Sequence, residues 1–511
     1  MSTEPDLKAF EQTYGAGRPQ LVWRRLIDDL ETPVSAYLKI AHARPYAFLF
    51  ESVEGGAWRG RYSIVAMNPE LVWRCRGDTP EISEGADLAA GVFTNLPGGA
   101  LESLRDLVAR SRLDIPVGLP PMAGGLFGVI GYDMVRLVER LPDNHRDALD
   151  LPDAVMIRPS IVAIFDAIAQ EIIRVTTVRP SHAEAAAAYS EAEARIDAVV
   201  ADLGASLPPR PSASPPAARS ELTSAVSQEA YGALVNRAKA YIEAGDIFQV
   251  VPSHRFTCPF TAPPFALYRS LRRTNPSPFL FFLNFPDFQL VGSSPEILVR
   301  LRDGKITIRP IAGTRPRGAT PAEDLALEKE LLADEKERAE HLMLLDLGRN
   351  DVGRVARLRD PGRNEPAERA GRATVRVTES FTIERYSHVM HIVSNVEGDA
   401  PEGLDPVDVL MAALPAGTLS GAPKVRAMQI IDELETEKRG VAYAGAVGYF
   451  GADGSVDTCI VLRTGLIKDG VLNVQAGGGV VADSDPVAEY QETLQKSGAL
   501  RRAAEEAWRF V

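Results

Sequence analysis

Residues 445–479 read GAVGYFGADGSVDTCIVLRTGLIKDGVLNVQAGGG and contain three strand-like runs in close succession. The runs are 446–450, 458–466 and 471–475. Asp-Gly pairs at 453–454 and 469–470 lie between them. An Asp-Gly pair between apolar runs is a strong short-range signal of a β-hairpin turn. We therefore predict that this part of the chain forms neighbouring antiparallel strands.

The same pattern continues on both sides of this stretch. A third Asp-Gly pair occurs at 303–304, and long helices are predicted over 321–347 and 485–508. Adjacent hairpins combined with long helices favour an α+β fold with antiparallel sheets over a doubly wound parallel sheet. The remaining strand candidates are 47–52, 63–67, 160–165, 247–252, 279–284, 297–301 and 306–310.

A segment rich in proline, alanine and serine divides the chain. Residues 204–220 read GASLPPRPSASPPAARS and have no apolar periodicity, which is typical of a semi-rigid connector. Helices are predicted on either side of it, over 181–203 and 227–244. We therefore predict an N-terminal region at 1–203, a linker at 204–222 and a C-terminal region at 223–511.

Composition limits the class of protein. The chain has 511 residues and 45% apolar content, which is enough for a large core. Its net charge of −13 argues against binding to a nucleic-acid backbone. The 3 cysteines are far apart and form no disulfide framework. The N-terminus is polar and no apolar run approaches about 20 residues, so we expect a cytoplasmic protein without a membrane segment.

Two pairs of glutamates stand three residues apart on predicted helices. Glu337 and Glu340 share one helix face, and Glu489 and Glu492 share another. Two such faces meeting would form an oxygen-rich site for a hard cation such as Mg²⁺, which takes one or two protein carboxylates and completes its shell with water or substrate. The alternative is that all four are solvated helix residues, and spacing alone leaves both open.

Several other features could hold an anion. A glycine run at 477–479 follows a strand, where backbone N–H groups can approach an anion, although a tight turn would use glycine equally well. Thr418 lies in a small-residue loop before a predicted helix, whose N-terminus can hold a carboxylate. Arg463 interrupts an apolar strand, either facing solvent or pairing with a buried anion. His391 lies in another apolar strand, as a structural or a catalytic residue.

Collinear motifs extend through the whole C-terminal region. They are GDIFQVVPS (245–253), NPSPFLFF (275–282), GSSPEIL (292–298), RPIAGTRPRG (309–318), AEHLMLLDLGRNDVGRV (339–355), RYSHVMHIVSNVEG (385–398), GTLSGAPKVRAM (417–428), GAVGYF (445–450), DTCIVLRT (457–464) and QAGGGVVADSDPVAEYQET (475–493). The N-terminal region adds FLFESVEGG (48–56), GRYSIVA (60–66) and GGLFGVIGYD (124–133). In this order they resemble the chorismate-utilising enzymes, specifically component I of anthranilate synthase.

This resemblance implies a fold of large antiparallel sheets sandwiched between helices, and a role for each site residue. Glu340 and Glu492 correspond to Mg²⁺ ligands, with Glu337 and Glu489 supporting them. The positions implied to bind chorismate are Gly313, Thr314, Tyr443, Arg463, Gly477, Gly478 and Gly479. Thr418 and His391 are implied to line the same pocket, together with Glu337 as catalytic residues.

The implied reaction adds ammonia to chorismate and then eliminates pyruvate, which gives anthranilate. Chorismate is a dicarboxylate, so an acidic protein must supply positive charge locally, from Mg²⁺, Arg463 or backbone amides. His391 is a candidate proton donor, because an unperturbed histidine has a pKa of about 6.5.

Two positions discriminate among relatives. Where related enzymes add water, a lysine stands at the position of Gln249, and a glutamine cannot act as that base. Aminodeoxychorismate synthase component I, the alternative within the family, usually carries a lysine nucleophile in place of Ala312. Both residues favour anthranilate synthase. A nucleotide-binding module with solvated glutamate pairs is the alternative from another class.

The resemblance also implies a partner and an effector. The chain ends at Val511, shortly after the last motif, so we expect a separate glutamine amidotransferase subunit to supply ammonia. Tryptophan is the expected feedback inhibitor. The positions that resemble its site are Glu51, Ser52, Asn275, Pro276, Pro278, Phe279, Leu280 and Tyr449. A plain strand end is the alternative interpretation of Glu51 and Ser52.

Overall fold

A computed structural model describes residues 2–51, 60–209, 221–358, 373–386 and 389–511. These residues contain 12 α-helices. The helices are α1 (Leu7–Gly15), α2 (Pro33–Ile40), α3 (Gly85–Ala90), α4 (Ala100–Arg110), α5 (Ala185–Gly204), α6 (Gln228–Glu243), α7 (Pro264–Thr274), α8 (Pro321–Ala333), α9 (Glu335–Gly353), α10 (Pro406–Ala413), α11 (Lys424–Leu434) and α12 (Pro486–Glu506).

Strands account for most of the remaining regular structure. The strands of the N-terminal region are β1 (Gln20–Ile27), β2 (Ala47–Glu51), β3 (Tyr62–Arg76), β4 (Thr79–Glu84), β5 (Thr94–Asn95), β6 (Gly125–Ile130), β7 (Ala154–Asp166) and β8 (Glu171–Val178). Those of the C-terminal region are β9 (Thr223–Ser224), β10 (Gln249–Val250), β11 (Ser253–Pro259), β12 (Phe279–Asn284), β13 (Gln289–Ser294), β14 (Ile297–Arg302), β15 (Lys305–Ile308), β16 (Ile311–Pro316), β17 (Arg376–Arg385), β18 (Val389–Asp399), β19 (Gly421–Ala422), β20 (Ala446–Gly451), β21 (Val456–Ile460), β22 (Thr464–Lys468) and β23 (Val471–Gly477).

The Asp-Gly turns form the predicted hairpins. Strands β14 and β15 pair across Asp303-Gly304, β20 and β21 across Asp453-Gly454, and β22 and β23 across Asp469-Gly470. Both residues of the first and third turns have positive φ, as a type I′ turn requires. All strand pairs named in this section are antiparallel.

Two arms of sheet extend from the long strands β3 and β7. One arm runs β7–β6–β20–β21–β14–β15–β18, and the other runs β3–β2–β12–β13–β22–β23–β11. Apolar side chains of both arms, such as Val447 and Phe281, share one core. Helices α4, α9 and α10 pack on the first arm, and α2, α5, α7 and α12 on the second. The prediction of antiparallel sheets between helices is therefore confirmed.

Two predicted elements are divided in the structure. The single helix expected over 321–347 is two helices, because Asp334 adopts an extended conformation and its side chain caps α9 by accepting from the amides of Lys336 and Glu337. The strand expected over 458–466 is also two, β21 in the first arm and β22 in the second. Arg463, with a φ of 49°, stands at this break.

The N-terminal and C-terminal regions share the sheet. Strands β2 and β6 precede the predicted linker in sequence, and they pair with β12 and β20, which follow it. Most of that linker, residues 210–220, lies outside the described residues, so its boundaries stay a prediction. Among the helices that the structure describes, none combines the length and apolarity needed to cross a membrane.

Candidate active site

Carboxylates from α9 and α12 face each other. Burial raises the pKa of Glu340 on α9, and the charges of Glu337 and Glu492 raise it further. Burial also raises the pKa of Glu489 on α12, with a contribution from Glu492. Lys496 forms an ion pair with Glu492 at 2.7 Å. The two predicted acidic helix faces therefore lie close enough for a charge on one to shift a pKa on the other.

The oxygen atoms at this point fit a hard cation. Glu489 Oε1 accepts from Ser484 at 2.6 Å, whereas its Oε2 is buried without a hydrogen-bond partner. Gln249 Oε1 is also buried and unpaired, and Gln249 Nε2 lies 3.5 Å from Glu340 Oε1. In the described ranges no three His, Cys, Asp or Glu side chains are grouped as a metal site. Mg²⁺ held here would therefore complete its shell with substrate and water, as it commonly does.

Close packing restricts the glycine run at the end of β23. A Cβ at Gly477 would lie 2.5 Å from the Pro252 backbone carbonyl oxygen. A Cβ at Gly478 would lie 2.6 Å from Glu489 Oε2, and one at Gly479 would lie 2.4 Å from Gln249 Nε2, so either would displace a side chain of the site. The Gly478 amide donates to the Tyr231 hydroxyl at 3.3 Å. The run therefore lets the backbone approach the acidic residues and Gln249 closely.

A β-bulge joins the residues predicted on β16 and β18. The register of these strands shifts between Ala312 and Thr314, which leaves Gly313 as the extra residue with a φ of 72°. His391 Nδ1 lies 3.1 Å from the Gly313 carbonyl oxygen and 3.0 Å from Thr314 Oγ1. A carbonyl oxygen only accepts, so this contact assigns the ring proton to Nδ1 and leaves Nε2 as an acceptor.

Burial changes the expected role of His391. It lowers the pKa of this residue to about 4, so the imidazole is neutral near pH 7. The sequence expectation of a proton donor used the unperturbed value of about 6.5. The buried ring is therefore neutral, with an unprotonated Nε2 that can accept a hydrogen bond or a proton.

Glu296 is a site residue that the sequence analysis did not single out. Its carboxyl oxygens lie 3.3 and 3.4 Å from Thr418 Oγ1. Burial raises the pKa of Glu296 to about 8, although the hydrogen bond from Thr418 and the positive charge of Arg463 both lower it. The group is therefore protonated at neutral pH and can act as a general acid. The signal was present in the motif GSSPEIL, where a lone carboxylate precedes a buried apolar run.

Arg463 supplies positive charge beside this acid. It stands where the chain passes from β21 to β22, and burial lowers its pKa while the nearby Glu296 opposes the shift. Tyr443 lies next to the glycine run, where it is buried and its hydroxyl is hydrogen bonded to the backbone of Gly477. A cation next to a neutral acid can pair with an anionic ligand.

The structure thus connects all the residues predicted for catalysis, substrate and metal. Arg463 affects the pKa of both His391 and Glu296, and a Cβ at Gly313 would lie 3.2 Å from Glu337. Glu337 itself accepts from Arg315 at 3.1 Å, which compensates its charge. The connected set is Gln249, Glu296, Gly313, Thr314, Glu337, Glu340, His391, Thr418, Tyr443, Arg463, Gly477, Gly478, Gly479, Glu489 and Glu492.

Comparison with known proteins assigns the family. The family model of chorismate binding enzymes matches residues 95–502. Anthranilate synthase component 1 of Cereibacter sphaeroides is 57% identical over 508 residues, which cover 99% of this chain and 98% of that protein. The chain belongs to the anthranilate synthase component 1 family of chorismate binding enzymes.

Further comparisons agree with this family. Anthranilate synthase component 1 of Pseudomonas putida is 48% identical over 481 residues, 93% of each chain. The crystal structure of anthranilate synthase component I from Streptococcus pneumoniae TIGR4 matches with a TM-score of 0.73 at 33% identity. That match covers 94% of this chain and 99% of the other.

The two positions that discriminate among family members lie at the site. Gln249 is buried between Glu340 and Gly479. Ala312 is buried on β16 next to the bulge at Gly313. A carboxamide and a methyl group offer neither a base nor a nucleophile at these points.

The described residues expected to bind the effector lie on β2, on β12 and the loop before it, and, for Tyr449, on β20 of the first arm. Glu51 pairs with Leu280 across β2 and β12, and forms an ion pair with Arg272. Phe279 and Tyr449 pack in the core between the arms, on the opposite face from Leu280. The other predicted positions are Asn275, Pro276 and Pro278, in the loop between α7 and β12, and Ser52, which lies outside the described residues.

Proposed function

We propose that this chain is the subunit of anthranilate synthase that converts chorismate and ammonia to anthranilate, pyruvate and water. One observation supports this most directly: a protonated Glu296 shares a site with Arg463 and the non-basic Gln249. Such a site can protonate a leaving hydroxyl group and bind an anion, but it lacks a base at Gln249 to activate water.

Binding of the substrate follows from charge. Arg463 is suited to pair with one carboxylate of chorismate. A Mg²⁺ ion held by Glu340 and Glu492, with Glu489 in support, would neutralise the other carboxylate and withdraw electrons from the ring as the 4-hydroxyl departs. The unpaired oxygen of Glu489 and the raised pKa of Glu340 support this cation, because both groups gain from a positive neighbour.

Proton transfers can be assigned to the chain's own residues. Glu296 donates its proton to the 4-hydroxyl, which leaves as water while the nitrogen of ammonia bonds to C2, and the resulting ammonium group then returns a proton to the Glu296 carboxylate. In the second stage the neutral His391 accepts the C2 proton at Nε2 as the C–O bond to the enolpyruvyl group breaks. His391 then gives that proton to the departing enolpyruvate, which becomes pyruvate. Thr418 holds Glu296 in place through its hydroxyl.

The folate-branch enzyme, aminodeoxychorismate synthase component I, is the second candidate. Its chemistry would use a lysine nucleophile at the position of Ala312, which this chain lacks. The products separate the two functions, because the alternative leaves the enolpyruvyl group on the ring.

A partner and an inhibitor complete the proposal. Gln249 offers no base, so the nucleophile must arrive as ammonia, which a glutamine amidotransferase subunit would supply. Tryptophan would bind near Glu51 and Asn275. Supporting this, the backbone N–H of Ser293 donates to the Arg463 carbonyl oxygen at 3.3 Å, and the Ser293 hydroxyl accepts from Asn275 Nδ2 at 3.2 Å, which links that region to the site.

The test is anthranilate fluorescence from purified chain with chorismate, Mg²⁺ and an ammonium salt. We expect fluorescence that EDTA abolishes and that excess Mg²⁺ restores. Glutamine without a partner subunit should give none. Accumulation of an aminated product that retains its enolpyruvyl group, with no free pyruvate, would contradict the proposal in favour of the folate-branch function.

A further inference from the structure

A buried ion pair lies behind the active site, where it contacts Tyr443 but none of the residues proposed for proton transfer. Arg439 and Glu435 are both buried, and the Arg439 side chain is 1% exposed. Arg439 Nε donates to Glu435 Oε2 at 2.9 Å, and Nη2 donates to Glu435 Oε1. Tyr132 and Tyr443 cover the guanidinium, with ring centroids at 4.9 and 5.3 Å.

The guanidinium holds two backbone segments of the site. Nη1 donates to the Leu419 carbonyl oxygen at 2.8 Å, one residue after Thr418. Nη2 donates to the Val251 carbonyl oxygen at 2.7 Å, two residues after Gln249. The planar fork of arginine fixes the angle between the groups that it binds, which the single ammonium of lysine cannot do.

The carboxylate holds Ser253, two residues further along the second of these segments. Glu435 Oε1 accepts from the backbone N–H of Ser253 at 2.7 Å and from its hydroxyl at 2.9 Å. Ser253 pairs with Gly477 across β11 and β23, and its hydroxyl accepts from Gln475 at 2.8 Å. Through these bonds Glu435 fixes the strand that ends in the glycine run.

We infer that Arg439 and Glu435 form a positioning pair, which aligns Thr418, Gln249 and the glycine run for the reaction. This inference rests on the proposed function. A buried ion pair is an inefficient way to stabilise a fold, because desolvation offsets the attraction and an apolar pair of similar volume often serves as well. Three backbone contacts, at Leu419, Val251 and Ser253, each close to a site residue, instead give the pair a geometric role.

The experiment compares Arg439→Lys and Glu435→Gln with a matched control. Arg174→Lys replaces another fully buried arginine, which lies on β8 and donates to the Ile172 carbonyl oxygen away from the site. Melting temperature, chorismate-binding stoichiometry, kcat and KM with ammonia are measured for each full-length chain. A misplacement of about 1 Å costs about 10²-fold in rate, so we expect kcat per binding site to fall about 10²-fold in Arg439→Lys.

A merely structural residue would lower the folded fraction and leave kcat per binding site and KM unchanged. Arg174→Lys should show this behaviour even where its melting temperature falls as far. The inference is wrong if Arg439→Lys folds and keeps kcat per site within twofold of wild type. If Arg439→Lys does not fold, Glu435→Gln decides by the same criterion. Wild-type turnover tests the proposed function separately, since the inference is read only from ratios to wild type.

Discussion

Replacing Glu296 by glutamine should remove activity and at the same time stabilise the protein. The carboxyl is buried and its pKa is raised from 4.5 to about 8. In the unfolded chain this group ionises above about pH 4.5, whereas in the folded chain it stays protonated up to about pH 8. Between these values the folded state therefore loses stability as pH rises, and glutamine, which does not ionise, escapes that loss.

The size of the effect follows from the two pKa values. Proton binding is linked to folding, so the raised pKa of Glu296 destabilises folded wild type, relative to a side chain that does not ionise, by about 2 kcal/mol near pH 6 and about 5 kcal/mol near pH 9. With an unfolding entropy of about 2.1 cal/mol/K per residue, a chain of this length should gain about 2 °C in Tm near pH 6 and about 4–5 °C near pH 9. Loss of the proton donor should lower kcat by about 10²–10⁴-fold.

Thermal unfolding of wild type and Glu296→Gln at the two pH values measures the first effect, and anthranilate fluorescence measures the second. Glu191→Gln, an exposed glutamate on α5, is the control and should change neither quantity. A stability difference that is the same at both pH values would show that Glu296 is ionised in the folded protein. A kcat within twofold of wild type would refute its role as the acid.

Three other substitutions test separate parts of the site. Glu340→Gln removes one charge from the acidic faces, so calorimetric titration with chorismate present should show Mg²⁺ affinity reduced at least about 10-fold; unchanged affinity would remove Glu340 from the metal site. Gly478→Ala places a Cβ 2.6 Å from Glu489 Oε2, so this carboxylate must shift and kcat should fall while the far-ultraviolet circular dichroism is retained; wild-type kcat would mean that the position of Glu489 does not matter for the reaction. Ser293→Ala removes the hydroxyl contact to Asn275, and half-maximal inhibition should then need several-fold more tryptophan, by about 1 kcal/mol of coupling; an unchanged inhibition curve would show that the signal takes another route.

The fold was largely predictable because its local signals agree with one another. Asp-Gly turns with positive φ produced hairpins where apolar runs predicted them. Where the prediction was wrong, a single residue was the cause. The side chain of Asp334 began a new helix inside a continuous helical pattern, and the break at Arg463 divided one predicted strand between two arms. Neither apolar pattern shows that the chain changes direction.

The composition of the site was predictable and its protonation was not. Motif order supplied Glu340, Glu492 and Arg463, whereas Glu296 was missed because a glutamate in sequence looks the same whether it is exposed or buried. Its protonation depends on the groups packed around it, which come from β16, the loop containing Thr418 and the break at Arg463. Burial is a property of the tertiary structure, and no local pattern reports it.

Burial shifts the pKa values of the two residues proposed for proton transfer in opposite directions. It disfavours the charged form of each group, so Glu296 keeps its proton and His391 loses its own. In water near pH 7 their unperturbed pKa values would leave the glutamate ionised and the histidine largely neutral. Before any substrate binds, the glutamate therefore holds the proton that the proposed mechanism needs from its acid, and the histidine is neutral. Under that mechanism the site needs no lysine in place of Gln249, because the acid serves the departing hydroxyl group and ammonia is already a nucleophile.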